Sequence, residues 1–159
     1  MNYHLKRTER EISDPAELAL ILKNGKFASI AMCYQNEPYI VTLNYGYDQS
    51  KDVLYFHNAQ DGLKLDFISQ NPDVCGTVVE DHGYVMGECE HKYRSVVFRG
   101  SMSIVDELEE KKYALRVLID HLEQDPAAVK KRILKNDDVY ENVGITKLEI
   151  QSITGKAGQ

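Results

Sequence analysis

The stretch LYFHNAQDGLKLDFISQNPDVCGTVVE, from Leu54 to Glu80, decides the reading of this chain. It reads as strand, turn, short helix, strand. Leu54–His57 is an apolar run closed by a histidine. Leu65 to Asn71 makes about two helical turns and stops before Pro72, as a residue preceding proline should. Val74 to Glu80 is rich in β-branched residues, which favour a pleated strand. Gly62 and Lys64 sit at the mouth of the helix. An imidazole (His57), an ammonium group (Lys64) and free backbone N–H groups thus meet where a phosphate would be held. Lys64 alone would be a solvated lysine, poorly placed beside the positive end of a helix. A bound anion turns that penalty into an attraction. A phosphate-anchored cofactor is the hypothesis against which the rest of the chain is read.

Working outward, Asp14-Pro15-Ala16-Glu17 is a helix start, with Asp14 as cap and Glu17 completing a capping box. Leu18, Ile21 and Leu22 form its apolar stripe, and Gly25 is placed to end it. Phe27 to Met32 reads as a strand and Gln35–Pro38 as a turn. From Tyr39 to Tyr47 the residues alternate: Tyr39, Val41, Leu43, Tyr45 and Tyr47 face one way, Ile40, Thr42, Asn44 and Gly46 the other. Asp48–Asp52 is a polar turn before the strand Val53–His57. Asp81 to His91 is polar and reads as a loop or irregular hairpin end. Tyr93 to Val105 is a long strand with Gly100 at a bulge or bend. Asp106 and Glu109 mark a second capping box, followed by a helix with Leu115, Leu118, Ile119 and Leu122 on one face. Asp125-Pro126 opens a short helix, and Thr146 to Ile153 is a last strand with Gly155-Lys156 after it.

That is about six strands joined mostly by short turns. The expected class is mainly β (α+β): a small antiparallel barrel with peripheral helices, residues 1–159 forming one domain. A doubly wound parallel sheet would need helices between most strands.

Composition narrows the function. The net charge of −6 argues against a general nucleic-acid binder. An anionic ligand would need positive charge gathered locally, from His57, Lys64, Lys92, Arg94 and Lys156. No apolar run approaches the roughly 20 residues that span a bilayer, and MNYHLKRTERE lacks the apolar core of a signal peptide, so no membrane partner and a cytoplasmic location are expected. Three scattered cysteines do not make a disulfide framework. Cys89-Glu90-His91, with His82 nearby, is too weak a pattern for a metal site, and none is expected. There is no nucleophile elbow, Walker loop or dinucleotide glycine fingerprint. Asn44 is polar within a half-buried strand. Either it bonds a neighbouring turn, or Thr42, Leu43 and Asn44 line a flat ligand.

Taken in order, PYIVTLNYGYD, LYFHNAQDGLKLDFISQNPDVC, KYRSVVFRGSM and ITGKAG resemble the FMN-binding split-barrel flavoproteins related to pyridoxamine 5'-phosphate oxidase, and most of all the nitroimidazole-resistance branch. The resemblance runs from about Arg10 to Gly158. It implies a six-stranded split β-barrel, a homodimer, and FMN at the subunit interface. It places His57, Gly62 and Lys64 at the FMN phosphate. Val41, Thr42, Leu43 and Asn44 would run beside the isoalloxazine ring. Arg94 and Ser95 would approach the flavin, often from the second subunit, and Lys156 would reach the same site. It implies a reductase that passes electrons from a reduced nicotinamide to a small acceptor such as a nitroaromatic or a quinone. Two departures stand out. Leu63 occupies a position where related sequences carry arginine. The Arg- and Trp-bearing C-terminal tail of true pyridoxamine-phosphate oxidases is missing, which argues against vitamin B6 oxidation. A deazaflavin in place of FMN, a haem-binding or haem-degrading relative with His57, His82 or His91 as axial ligand, and a non-catalytic flavin-binding redox module are the alternatives.

Overall fold

The computed structural model describes residues 6–136 and 138–158. After a 3-10 turn at Thr8–Arg10 the elements run β1 (Glu11–Ile12), α1 (Pro15–Asn24), β2 (Phe27–Tyr34), β3 (Glu37–Asn44), β4 (Gly46–Asp48), β5 (Val53–Asn58), α2 (Leu63–Gln70), β6 (Asp73–Val85), β7 (Glu90–Ile104), α3 (Leu108–Leu122), α4 (Pro126–Ile133), α5 (Asp138–Glu141) and β8 (Gly144–Gly158). Every described strand pair is antiparallel.

The sheet order is β3-β2-β6-β7-β8-β5-β4, with β1 added to β8. The two ends of this path, β3 and β4, are consecutive in sequence and joined only by Tyr45. One stretch of chain therefore forms both rims of the sheet, which curls it into a split barrel. Tyr45 is fully buried, and its hydroxyl donates to the Leu22 carbonyl at 2.6 Å. Burial pushes that phenol well above its ordinary range, so it stays a neutral donor.

The barrel is filled by Ala28, Ile30, Leu54, Phe56, Val78, Val96, Phe98, Met102 and Leu148, with Ile21 and Leu22 of α1 and Leu65, Phe67 and Ile68 of α2 packed on this core. A second cluster lies outside it, where Val53, Tyr55 and Ile145 meet Ala114 and Leu118 of α3. Strand β5 is thus buried on both faces. This explains why Val53–Phe56 is a continuous apolar run rather than an alternating one.

Local chemistry accounts for most boundaries. Asp14 Oδ1 accepts from the Ala16 N–H at 2.9 Å, with Pro15 at the first helical position. Gln35 and Asn36 both have positive φ (50° and 65°), the backbone of a two-residue hairpin turn. Pro38 is tolerated because β3 is an edge strand.

The expected fold class is the one observed, with differences in detail. Eight strands are described rather than about six, the additions being the two-residue β1 and three-residue β4. Gly25 is not a left-handed cap (φ −63°); glycine is needed because a Cβ there would run into the Tyr45 hydroxyl and Val78. The α3 cap is Glu107, which accepts from the Glu110 N–H, not Asp106. Of the two readings open for residues 81–91, the irregular hairpin end is the one observed, because β6 and β7 keep pairing beyond a bulge between Asp81 and Tyr84. Gly155 and Lys156 lie within β8, paired with Val96 and Ser95. Gly100 does sit at a bulge, where the register with β8 jumps from Ser152 to Ile150.

Candidate functional site

The fold delivers the predicted residues in two groups. The first is the anchor. His57 is exposed near the end of β5 and Lys64 lies in the first turn of α2, with the turn 59–62 between them. Gly62 has φ +128° and open space where a Cβ would be, so glycine is required here by backbone conformation alone. The first helical hydrogen bond is Leu65 N–H to Gly62 O at 2.8 Å, so the earlier N–H groups of Leu63 and Lys64 precede the ladder. Lys64 is half-buried, and burial lowers its ammonium below the ordinary lysine value. Among the described residues no carboxylate lies within ion-pair range of it. The Leu63 side chain is 52 % exposed and points away from the core.

The second group lies on the outward face of the barrel. Along β7 the even residues Val96, Phe98, Gly100 and Met102 are buried inside, while Ser95, Val97 and Arg99 face out. Pairing carries this face across five strands. One row is Thr42, Ser29, Thr77, Val97 and Thr154; the next is Ile40, Ala31, Cys75, Arg99 and Ser152. Ser95 and Lys156 are paired at one end of it. The face mixes these polar residues with exposed apolar ones: Phe27, Ile40, Val79 and Val97 are 60 %, 67 %, 56 % and 44 % exposed.

The β3 residues divide between the two sides. Val41 and Leu43 pack against the interior, whereas Thr42 and Asn44 face outward. Thr42 Oγ1 lies 2.9 Å from Ser29 Oγ, and Asn44 Nδ2 donates to the Lys26 carbonyl at 2.9 Å. Asn44 thus bonds the neighbouring turn, one of the two readings open from sequence. A flat ligand along β3 would meet these two side chains and the strand's free edge.

Arg94 is held differently from Ser95. Its Nε and second guanidinium nitrogen contact Glu80 Oε2 at 2.8 and 2.7 Å, and Glu80 is largely buried and also accepts from Asn24. Alternation puts this pair on the side opposite Ser95, and the charge of Arg94 is already matched. Sequence reading missed Glu80 because its partner is fourteen residues away across a hairpin. It also missed Asp81, whose carboxylate bonds His91 at 2.7 Å and is held below the usual range chiefly by that contact. His91 is therefore tied to Asp81 rather than to Cys89, and the described residues contain no converging set of metal-ligating side chains.

Within one chain the Ser95–Lys156 end of the outer face lies apart from the anchor. His57 pairs with Ile145 and Ser95 with Lys156, so they mark opposite ends of β8. Eleven residue steps along β8 separate these positions, a path of about 36 Å along the strand.

A split barrel with a lysine in the first turn of α2 behind a positive-φ glycine, and a polar-apolar outer face, defines the class. The sequence matches the family model described as pyridoxamine 5'-phosphate oxidase over residues 14–157, and the chain belongs to that family. Solved structures share the fold. A candidate 5-nitroimidazole antibiotic resistance protein from Bacteroides thetaiotaomicron superimposes with a TM-score of 0.79 at 24 % identity, covering 99 % of this chain and 96 % of that one. The flavocytochrome Anf3 from Azotobacter vinelandii gives 0.81 at 19 % identity, covering 97 % and 72 %. An FAD and heme binding protein from Mycobacterium smegmatis gives 0.77 at 15 % identity, covering 94 % and 74 %. No curated protein sequence matches the chain. No helix among the described residues is long and apolar enough to cross a membrane.

Proposed function

We infer that the protein binds FMN as a homodimer and works as a reductase, passing electrons from a reduced nicotinamide to a small acceptor such as a nitroaromatic or a quinone. The observation that carries this reading is Lys64: a half-buried cation without a carboxylate partner among the described residues, in the first turn of a helix behind a positive-φ glycine. A phosphate supplies the missing counter-charge, and the Leu63 and Lys64 N–H groups supply donors. FMN would contribute hydride and electron transfer when bound, and the protein's part is to hold and tune it.

The chain's own residues then have distinct tasks. His57 and Lys64 fix the phosphate, and Gly62 lets the backbone turn toward it. Thr42, Asn44 and the free edge of β3 give polar contacts along the ring. Ser95 and Lys156 lie at the far end of β8 from the strand pair that holds His57, so we assign them to the site of a second copy. A two-fold axis lying in the outer face and running across the strands places the Ser95–Lys156 end of one copy over the anchor end of the other. Lys156 then brings positive charge to the ring, where it favours the reduced, anionic cofactor. Arg94 is occupied by Glu80 and is not assigned that role.

Among the solved relatives are a flavocytochrome and an FAD and heme binding protein, so haem is the second reading. Purification followed by absorbance and mass spectrometry separates the two. Two flavin bands and an FMN mass support the proposal, and an intense Soret band overturns it. Light scattering must give twice the chain mass.

A further inference from the structure

Strands β6 and β7 continue well past their neighbours. Pairing of β2 with β6 covers Ser29–Ala31 and ends at Thr77, and pairing of β8 with β7 begins at Tyr93. Among the described residues, 82–92 therefore form a two-stranded arm paired with itself. From Tyr93 to its turn the arm reaches roughly 15 Å beyond the barrel. A lone two-stranded ribbon is marginal in water.

This arm is nevertheless built to hold a shape. Asp81 Oδ1 takes both the Gly83 N–H and His91 Nε2 at 2.7 Å, tying the base. The Tyr84, His91 and Tyr93 rings form a ladder with centroids 6.1 and 6.5 Å apart, and Lys156 Nζ lies 6.0 Å from the Tyr93 ring. His91 and Tyr93 alternate in register with Ser95, Val97 and Arg99. The ladder is thus the direct continuation of the outer face. Its outer end is apolar: Tyr84 is 52 % exposed and Met86 at the turn is 84 % exposed.

We propose that this arm is a clasp that lies on a second copy of the chain, its Tyr84–His91–Tyr93 side packed on the partner beside the anchor end of the partner's outer face. The inference rests on the two-copy reading above and adds the part of the chain that secures it. The occupant follows from continuity and size. Five strands at the usual spacing by five residues of length give an outer face of roughly 400 Å² in plan, about half of what one partner of a stable interface contributes. Under two-fold symmetry each copy adds both its own arm and the ground beneath the other's. The same axis that unites Lys156 with the partner's Lys64 carries the arm past the partner's helix α2.

The test uses the full chain. Tyr84→Ser combined with Met86→Ser touches no side chain of the barrel core, so the strand content of the protomer by circular dichroism should hold. Light scattering over a dilution series should show the dimer dissociation constant raised at least tenfold. Ile133→Ser, on α4 away from the face, should leave it unchanged. Hydrogen exchange of residues 82–92 should be slow in the dimer and quicken on dilution together with the outer-face strands. A chain that is monomeric at every concentration removes the two-copy reading and the clasp with it. A dimer indifferent to the double substitution, or one whose arm exchanges as fast as free peptide, removes the clasp alone. Protection appearing only with anionic lipid vesicles also overturns it.

Discussion

Replacing Lys64 with alanine should weaken FMN binding roughly 10- to 100-fold while leaving riboflavin binding within about twofold. A charge-assisted hydrogen bond is worth about 1.5–3 kcal/mol, and the half-exposed position of Lys64 favours the lower end because water screens it. Riboflavin has no phosphate and so has nothing to lose there. The structure adds a second readout. Burial already disfavours the charged ammonium in the free protein. Removing it should leave the thermal midpoint without ligand unchanged or slightly raised. Flavin fluorescence quenching gives both affinities, and a salt series should weaken FMN but not riboflavin in the parent protein. Equal loss for the two flavins, or a fall of several degrees in the ligand-free midpoint, would show that Lys64 supports the fold or the ring, and the phosphate assignment would have to go.

Leu63→Arg should tighten FMN by about tenfold, because the side chain is 52 % exposed and a guanidinium there can grip phosphate in two places; titration showing no gain would place position 63 away from the phosphate. Tyr113→Phe should cost about 1–2 kcal/mol in urea unfolding, since the Tyr113 hydroxyl donates at 2.6 Å to the buried carboxylate of Asp48. Burial alone would raise Asp48, but hydrogen bonds from Ser50 and Tyr113 outweigh it and hold the carboxyl below its ordinary value. Its contribution is therefore present above the ordinary carboxylate range and lost as pH falls through the depressed value. The acid midpoint should move upward in Tyr113→Phe, and an unchanged one would refute this. His121 is pulled below its usual value of 6.5 by burial. The unfolded chain takes up a proton there before the native state does, so thermal midpoints should fall as pH drops below about 6.5. His121→Asn should flatten that limb of the curve.

The sequence carried most of the strands because alternation and turn chemistry are local. Gln35-Asn36, Asp14-Pro15 and Asp125-Pro126 all punctuate the chain where expected. What it hid was set by distant partners. Nothing near Gly25 announces that its missing Cβ makes room for Tyr45 and Val78. The polar run 81–91 left a loop and an irregular hairpin end both open because no core face shapes it; the pairing of β6 with β7 decides for the hairpin. At the site, Gly62 and Lys64 were legible because a helix mouth is a local feature. The division of Val41 and Leu43 from Thr42 and Asn44 was legible too, as strand alternation; the matching of Arg94 by Glu80 was not, because it depends on a cross-strand partner. The separation of the anchor from Ser95 and Lys156 along β8 could be read only from the strand order.

That strand order governs how the molecule forms. Strand β8, residues 144–158, is the last of the described strands in sequence yet lies between β7 and β5 and also receives β1. The hairpins β2–β3, β4–β5 and β6–β7 can each zip from local contacts, but β5 has no seam to β7 until β8 enters. The pairing of Ile12 with Gly155 closes a loop spanning nearly the whole chain. Such long closures are slow, because the entropy of bringing the ends together is lost before the contacts return it. On a ribosome the barrel must wait for its last strand to emerge, with the apolar edges of β5 and β7 exposed until then. Folding should accordingly be a late, concerted event, the stage at which this protein most needs protection from aggregation.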